Sequence, residues 1–395
     1  MAELVDADFA SPIPSYAPRA SFRRLTLTDY RSYTSADIAF DGRPVTFVGA
    51  NGAGKTNLLE ALSLLGPGRG LRSAKLEDLA CSTGRGGWAV ASRLSLAGHE
   101  HALGVGGARA ANGGERRQCR IDGASARGPT AFVDYVRFLW LTPAQDGLFA
   151  AGAGERRRFL DRLVQAHHAS HARALSDYET AMRQRQRLLD EGRADDIWLS
   201  ALETQMAQTG VALAAARREV AARLAAADVS ALAAGVFPAA DIALQGDLEV
   251  ALGDRPVSDV EDEFSDYLKS HRRLDADTGR ATRGPHRSDM IVSHRMKQMP
   301  ARVCSTGEQK ALLIGLVLAN ACALSADEGH GAPLVLLLDE IAAHLDPDRR
   351  AALFDILYSA GFQCFMTGTD KDLFAAWGDR AQSFEVADGG VRPIN

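Results

Sequence analysis

The chain has 395 residues, of which 46% are hydrophobic, and a formal net charge of −5 at pH 7. A chain of this length can bury a large core and normally divides into two or three domains, but its apolar runs are shorter than the roughly 20 residues of a membrane span, and its first residues lack a signal-peptide pattern. Its five cysteines are odd in number and lack C-x-x-C spacing, which favours a cytoplasmic protein with reduced thiols over disulfides or zinc.

The first part of the chain is predicted to be mostly β. Residues 1–21 contain three prolines and are predicted to form a flexible tail. Apolar side chains alternate in residues 22–48, which is typical of strands, and further strand patterns occur at residues 88–96, 118–121 and 133–141. Residues 104–114 are rich in glycine without a following helix, so they are predicted to form a mobile hairpin loop.

Residues 49–56 form a complete G-x-x-x-x-G-K-[ST] pattern after a short apolar strand and before a helical pattern. The glycines let backbone N–H groups surround phosphate oxygens, and Lys55 supplies a charge for the β and γ phosphates of a nucleotide. Thr56 is predicted to hold Mg²⁺ through its hydroxyl. The alternative is a glycine-rich turn without a ligand, but the flanking strand and helix favour an ATP site. The residues predicted to bind the nucleotide here are Gly49, Ala50, Asn51, Gly52, Ala53, Gly54, Lys55, Thr56 and Asn57.

Residues 151–280 are predicted to form an inserted helical domain. The helical pattern runs from Glu155 to about residue 227 with a break at residues 191–193. Its second half has coiled-coil-like spacing, and its length predicts a compact lid rather than a long arm. His167 and His171 lie one helical turn apart, which would suit a metal site, but no third ligand is evident and a solvated helix face is favoured.

An apolar strand pattern at residues 333–338 ends in two carboxylates, Asp339 and Glu340. Such a strand suits the centre of a parallel sheet and would deliver both acids to the carboxyl edge. Asp339 is predicted to bind Mg²⁺ and Glu340 to polarise the attacking water, so that both acids and Lys55 are the catalytic candidates. The alternative is a core strand whose acids cap the next turn.

A second anion site is predicted at the start of a helical pattern, where a serine and a glycine accompany free backbone N–H groups. Because one phosphate loop already holds the nucleotide, we expect this signature segment (residues 305–309) to contact the γ phosphate bound to a second copy of the chain. This expectation implies an ATP-dependent homodimer. The residues concerned are Ser305, Thr306, Gly307, Glu308 and Gln309.

Charge is distributed unevenly along the chain. Residues 101–190 hold 14 arginines against nine acids, whereas residues 241–270 hold two basic residues against nine acids. Such segregation lets one face attract phosphate. Only six of the 45 basic residues are lysines, and biased genomic composition also explains this richness in arginine.

The phosphate loop, the Ser-Thr-Gly-Glu-Gln signature and the Asp-Glu strand, in this order around a long insert, resemble the ABC-type ATPase heads of the SMC group. Residues 52–61, residues 284–287 (Gly-Pro-His-Arg) and residues 304–313 resemble the RecF recombination and repair proteins in particular, and residues 155–161 are similar to the start of that family's helical domain. The resemblance extends from residue 22 to about residue 391.

This resemblance implies an α/β fold, in which residues 22–150 and 281–395 form a P-loop ATPase head of mixed or parallel sheet with helices around the inserted helical lid. It also implies that Arg31 lies near the phosphates. Arg69, Arg72 and Lys75 follow the phosphate-loop helix and could contact either the DNA backbone or the edge of the nucleotide site. The resemblance favours DNA contact.

The sequence departs from the family pattern at three positions. Many RecF proteins carry a second Asp in place of Glu340 and acids in place of Ser288 and His344. Glu340 makes the site more similar to a hydrolytic ABC head. No switch histidine follows the strand pattern at residues 362–366, which argues against a transporter ATPase.

The resemblance implies a cytoplasmic, ATP- and Mg²⁺-dependent dimer that clamps duplex DNA near single-strand gaps. It further implies cooperation with the RecO and RecR mediators in loading recombinase, and a weak, DNA-stimulated ATPase activity that opens the dimer. The alternatives are a short SMC-like scaffold in which ATP only sets the architecture and, less favoured, a transporter ATP-binding subunit.

Overall fold

The computed structural model describes residues 20–394 except 110–114, 193–194, 228–234, 254 and 327–331. Most of the predicted N-terminal tail, residues 1–19, lies outside the described residues. Strand β1 (Ala20–Tyr30) begins two residues before the predicted boundary, because Ala20 and Ser21 are buried and pair with β4 (Trp88–Leu96).

A six-stranded sheet, in the order β15-β14-β3-β13-β12-β8, carries the predicted nucleotide motifs. The five strands from β14 to β8 are parallel to one another, and β15 pairs with β14 in the antiparallel direction. All five residues of β12 are buried, because a parallel strand covered on both faces has no solvent side. The strands are β3 (Val45–Val48), β8 (Arg137–Leu141), β12 (Leu334–Leu338), β13 (Gln363–Gly368), β14 (Gln382–Ala387) and β15 (Gly390–Pro393).

An antiparallel sheet, in the order β2-β1-β4-β5-β6-β7, packs against the parallel sheet. The predicted strand over residues 133–141 is too long, since a 3₁₀ helix (Pro129–Asp134) precedes β8. The predicted loop at residues 104–114 is wrong for its first part: residues 104–107 lie within β5 and pair with β4, whereas residues 110–114 lie outside the described residues. The remaining strands are β2 (Tyr33–Ala39), β5 (His99–Arg109), β6 (Glu115–Ile121) and β7 (Ala124–Ala126).

The loop prediction failed because these glycines are needed for packing against a distant part of the chain, not for a turn. A Cβ on Gly107 would lie 2.3 Å from Nε1 of Trp88, and one on Gly106 would lie 2.9 Å from the Trp88 carbonyl oxygen. Gly107 therefore makes room for the buried Trp88 indole, and Gly106 for the backbone of the neighbouring strand, rather than for a turn.

The inserted segment contains six α-helices among its described residues. The predicted break near Gly192 is confirmed, and a second break separates the first two helices at residues 168–170. The 31-residue α4 would span about 46 Å. The helices are α2 (Ala153–His167), α3 (His171–Asp190), α4 (Asp196–Ala226), α5 (Asp247–Ala251), α6 (Val257–Ser270) and α7 (Arg272–Thr278). The apolar faces of α3, α4, α5 and α6 form a separate core, whereas α2 and the end of α4 pack into the core of the head.

The insert is not purely helical. Strand β9 (Ala240–Gln245) pairs along its length with β10 (Asp289–His294), which in turn pairs with β11 (Met299–Pro300). This small sheet joins the inserted segment to the chain leading into the signature helix, α8 (Thr306–Ala326). The last helix, α9 (Pro347–Ser359), follows the acid pair Asp339 and Glu340.

The segment Thr306–Leu324 of α8 is long and apolar enough to cross a membrane, judged by length and composition alone. The sequence analysis did not predict a segment of this kind. However, 67% of the most apolar stretch of this segment is buried within the protein. Its leucines and alanines pack against β12 and the helices around it. We therefore interpret α8 as a core helix of the head.

A buried ion cluster fixes the Gly-Pro-His-Arg element against the helical insert. The Arg217 guanidinium donates to both carboxylate oxygens of Asp161 (2.9 and 3.0 Å) and to the Pro285 carbonyl oxygen (2.7 Å). Burial raises the pKa of Asp161, but His171 and Arg217 outweigh it and hold that pKa below its usual value. This region is therefore anchored by charge as well as by packing.

Ser288, one of the three positions that depart from the family pattern, belongs to the same cluster. Its hydroxyl donates to the buried Glu249 carboxylate at 2.7 Å, and Glu249 lies 3.4 Å from Arg217. A carboxylate at position 288 would lie beside that of Glu249, and the two like charges would repel each other. Serine provides a neutral donor instead.

Gly284→Ala is expected to destabilise the fold by about 2 kcal/mol or more. Gly284 has φ +136°, and a Cβ there would lie 2.4 Å from the Tyr178 hydroxyl, which also bonds His286. The matched control is Gly279→Ala: Gly279 has φ +66° with open space around it, so only about 1 kcal/mol of backbone strain is expected. Urea unfolding of both variants measures the difference, and equal losses would contradict the steric argument.

Candidate nucleotide-binding site

The phosphate loop (residues 49–56) joins β3 to helix α1 (Lys55–Ser63) at the carboxyl edge of the parallel sheet. Gly49 lies so close to the neighbouring strand that a Cβ would come within 2.2 Å of the Val386 carbonyl oxygen. Gly54 is the N-cap of α1 with φ +107°, and the Tyr33 hydroxyl donates to its carbonyl oxygen at 3.1 Å. Both glycines are therefore required by geometry.

Lys55 lies inside this loop. Its ammonium donates to the carbonyl oxygens of Gly49 (2.7 Å) and Ala50 (2.9 Å). Burial lowers the pKa of Lys55, while the nearby charges of Glu340 and Asp339 act in the opposite direction. The predicted lysine, hydroxyl and two acids are therefore brought together at one sheet edge.

Asp339 is the centre of the acid side of the site. Thr56 donates its hydroxyl to both carboxylate oxygens of Asp339, at 2.9 and 3.1 Å. The Asp339 N–H donates to the Leu141 carbonyl oxygen at 2.8 Å, which joins the ends of β12 and β8. A hydroxyl and a carboxylate so paired supply the hard oxygen donors that Mg²⁺ prefers.

Thr367 at the end of β13 forms hydrogen bonds to both acids. The sequence predicted no role for this position beyond the absence of a switch histidine. Its hydroxyl donates to Asp339 at 2.7 Å and accepts the Glu340 N–H at 2.9 Å. Glu340 adopts φ +54°, a left-handed conformation that is costly for a residue with a side chain. Thr367 therefore stabilises the strained turn that presents the Glu340 carboxylate.

Gln145 is another residue that the sequence argument missed. It is buried in the turn after β8, where its side-chain oxygen accepts the Thr142 N–H at 3.0 Å. Its Nε2 atom is buried and makes no hydrogen bond among the described residues. The available signal was a polar T-P-x-Q turn directly after an apolar strand, at the same sheet edge as Asp339.

Arg31, which is expected to lie near the phosphates, pairs with an acid on the phosphate-loop helix. Its guanidinium forms a bidentate pair with Glu60 of α1, at 2.8 and 2.9 Å, and donates to the Asp78 carbonyl oxygen at 2.7 Å. Hydrogen bonding to Glu60 raises the pKa of Arg31. Arg31 therefore clamps the phosphate-loop helix, because Glu60, a buried acid on α1, needs a partner.

Arg72, predicted to contact DNA, is held by the same helix. It donates to Asn57 at 2.7 Å and lies 3.3 Å from Glu60. Arg69 and Lys75 are exposed, and the only ion pair of Lys75 among the described residues is a loose one with Glu77 at 3.5 Å. All three predicted DNA residues are therefore exposed, but Arg72 is also tied to α1.

The signature segment begins α8 with reciprocal capping contacts. The Ser305 N–H donates to Glu308 at 2.9 Å, and the Glu308 N–H donates to the Ser305 hydroxyl at 3.4 Å. Lys297 and these contacts lower the pKa of Glu308 to about 2. Gln309 donates to the Cys304 carbonyl oxygen at 2.9 Å, so Glu308 and Gln309 shape the helix start.

Ser305, Thr306 and Gly307 form the exposed surface of this helix start, and a Cβ on Gly307 would meet open space. His344 is also exposed, in the turn between the acid pair and α9. Asp346, two residues further on, caps α9 by accepting the Arg349 N–H at 2.9 Å. The signature segment therefore faces outward.

The histidines at residues 167–171 do not form a metal site. His167 bonds Asn320 at 2.8 Å, and His171 bonds the buried Asp161 at 2.9 Å. No group of three or more potential metal ligands occurs in the part of the chain that the structure describes. The prediction of a solvated face is wrong for His171, which is buried. All five cysteines are free: Cys81, Cys119, Cys304, Cys322 and Cys364.

The fold and the site define the chain as a P-loop ATPase head of the SMC type. It is similar to the Smc head domain of Pyrococcus furiosus (TM-score 0.52, 16% identity, covering 95% of this chain and 96% of the other). A family model described as the RecF/RecN/SMC N terminal domain matches residues 21–390. These similarities confirm the predicted fold class.

The more specific similarity is to RecF. The "DNA replication and repair protein RecF" of Mesorhizobium japonicum is 51% identical over 94% of this chain and 97% of its own length. A solved structure of the "recombination mediator protein RecF-ATPrS" matches with a TM-score of 0.80 and 21% identity, over 96% of this chain and all of the other. The chain belongs to the RecF family of DNA replication and repair proteins.

Proposed function

We propose that this chain binds ATP and Mg²⁺ and closes as a homodimer on duplex DNA beside single-strand gaps. The observation that carries the proposal is the assembly of Lys55, Thr56, Asp339 and Glu340 at one edge of the parallel sheet. Membership of the RecF family supplies the DNA repair context.

In the proposed complex, the backbone N–H groups of residues 49–56 hold the phosphates and Lys55 neutralises their charge. The carbonyl contacts of Lys55 orient its ammonium within the loop before the ligand arrives. Thr56 and Asp339 would hold Mg²⁺, which supplies further neutralisation of phosphate charge. Glu340, fixed through its backbone by Thr367, accepts a proton from the attacking water.

The proposed dimer is supported by the outward-facing signature segment. Within one chain, Ser305, Thr306 and Gly307 present a helix start to solvent, where a negative group is favoured by the unpaired N–H groups and the helix dipole. The γ phosphate on a second copy is such a group. Each nucleotide would then be enclosed by two chains, and hydrolysis would open the dimer.

The proposed DNA contact uses Arg69 and Lys75, which are exposed. Arg72 has a different proposed role: it ties the segment after α1 to Asn57 and Glu60 and so connects the DNA-facing residues to the phosphate-loop helix. Cooperation with RecO and RecR, action in the cytoplasm, and a weak DNA-stimulated ATPase activity complete the proposal.

The test measures binding of a gapped duplex by fluorescence anisotropy over a salt series, with and without ATP. We expect binding to require ATP and to favour gapped over continuous duplex. Replacing Arg69 and Lys75 by Gln should reduce the slope of log affinity against log salt by about 2, since each phosphate contact contributes about 0.9.

The control replaces Arg173 and Arg183, two exposed arginines on α3 in loose ion pairs with neighbouring acids, and should leave the slope unchanged. Binding that ignores ATP and gaps would favour the static scaffold. A slope that falls equally in both double variants would remove Arg69 and Lys75 from the DNA surface.

A further inference from the structure

A small pocket lies at the sheet edge opposite the nucleotide. Its lining includes Ser63 at the end of α1, Gly66 just beyond it, Phe138 and Trp140 of β8, and Arg162 of α2. Because α1 starts at the phosphate loop and the acid pair follows the carboxyl end of the parallel β12, the far end of α1 and the start of β8 mark the other edge. The pocket is small, with a cavity volume of about 20 Å³, and it is partly open to solvent.

Arg162 has an unusual environment in this pocket. Within the described part of the chain its guanidinium makes no hydrogen bond and no ion pair within 4 Å, and its Nε atom is buried. Burial lowers its pKa to about 10. Most other buried arginines here have carboxylate partners; Arg185, for example, pairs with Glu203 (2.9 Å) and Asp275 (2.7 Å).

Aromatic side chains hold the Arg162 guanidinium in place. It lies 5.1 Å from the ring centre of Trp140 and 5.7 Å from that of Phe159. Stacking of this kind fixes the plane of the guanidinium without using its N–H donors. The donors therefore remain available for a planar anion, and a carboxylate would satisfy two of them at once.

The remaining lining selects the ligand further. Arg137, whose guanidinium also donates to the Ala166 carbonyl oxygen at 2.5 Å, is a second cation in the lining. Among the described residues, no acid lines the pocket. The rest of the wall is mainly apolar, including Val133, Val136 and Phe138. Such a site favours a carboxylate beside an apolar side chain. A phosphate of duplex DNA lies on a broad, rigid surface and would not reach a guanidinium recessed in a small cavity.

We propose that this pocket, which we name the Arg162 pocket, binds an acidic peptide segment of a partner protein, with a carboxylate on Arg162 and a neighbouring apolar side chain against Phe138 and Trp140. The pocket lies away from the nucleotide edge and from the signature segment. The peptide would therefore bind in either state of the ATP site.

The test uses the full chain and a fluorescein-labelled peptide, Asp-Asp-Leu-Phe-Asp, followed by anisotropy. Arg162→Gln is expected to weaken binding about tenfold or more, the scale of a bidentate charged contact. Its matched control is Arg158→Gln on the same helix, where the side chain is 69% exposed and paired with Glu155; binding should change by less than about twofold. Arg162→Lys, which keeps the charge but not the planar fork, should also bind weakly.

Arg162→Gln breaks no ion pair but loses the stacking on Trp140 and Phe159, so its thermal unfolding temperature should fall only slightly and it should stay folded in the binding assay. Equal peptide affinity in Arg162→Gln and Arg158→Gln would overturn the proposal, as would equal binding of the neutral peptide Asn-Asn-Leu-Phe-Asn. Inorganic phosphate binding as tightly as the peptide would assign the pocket to a free anion instead. Tighter peptide binding after Glu3, Asp6 and Asp8 are replaced by amides would overturn the assignment to a partner, because the chain's own acidic segment would be the competitor.

Discussion

Glu340→Gln is expected to lower ATP hydrolysis by about 10² or more while leaving ATP binding intact. The amide keeps the shape of the side chain but removes the charge that accepts a proton from water. The backbone contact to Thr367, at 2.9 Å, does not involve the Glu340 side chain, so the variant should keep the same turn. Asp339 also keeps its contacts to Thr56 and Thr367.

The consequence of this variant is a dimer trapped on DNA. On gapped duplex in ATP, Glu340→Gln should dissociate much more slowly than the unmodified chain, whereas the two should match in a non-hydrolysable analogue. Glu385→Gln is the control, because Glu385 is an exposed acid on β14 of the same sheet. Equal residence times in ATP despite lost hydrolysis would show that turnover does not govern release, and would favour the scaffold.

Thr367→Val tests whether the position of the Glu340 carboxylate matters for hydrolysis when its charge is unchanged. Valine matches threonine in shape but can neither donate to Asp339 nor accept the Glu340 N–H. We expect slower hydrolysis with ATP affinity reduced much less, and recovery in Thr367→Ser. Unchanged hydrolysis in Thr367→Val would mean that the left-handed turn at Glu340 is held by its other neighbours.

The parallel sheet and its site were predictable because their determinants are local in sequence. The glycines and lysine of the phosphate loop stand at fixed spacing, and the run of five apolar residues before Asp339 is typical of a strand buried on both faces. Their meeting at one edge followed from the parallel arrangement. The residues that hold the site together were not predictable in this way.

Those residues act across long separations in the chain. Arg31 meets Glu60 at a sequence separation of 29, and Thr367 meets Asp339 at 28. A basic residue expected near phosphate is equally able to neutralise a buried acid, and sequence alone does not rank the two. The same reason explains Gly107 of β5, whose partner is the Trp88 ring. In each case the role of the residue depends on a buried neighbour that is distant in sequence.

Ser305→Arg is expected to abolish the ATP-dependent dimer while leaving ATP binding to the single chain nearly unchanged. Ser305 is exposed and its hydroxyl accepts the Glu308 N–H, so the larger side chain extends into solvent in the monomer. In the dimer it would enter the space of the γ phosphate held by the partner. Lys55→Ala should abolish the same dimer by the opposite route, through loss of charge at the β and γ phosphates.

Mixing these two variants gives the decisive measurement. A heterodimer has one site built from the intact phosphate loop of the Ser305→Arg chain and the intact signature segment of the Lys55→Ala chain. The other composite site carries both substitutions. Analytical ultracentrifugation with ATP should therefore recover a dimer in the mixture that neither variant forms alone. The control Ser258→Arg places the same substitution at an exposed position of the helical insert and should dimerise normally. Lost ATP affinity in the Ser305→Arg monomer would instead place the signature segment at its own chain's nucleotide, because only a contact within one chain would weaken binding before the dimer forms.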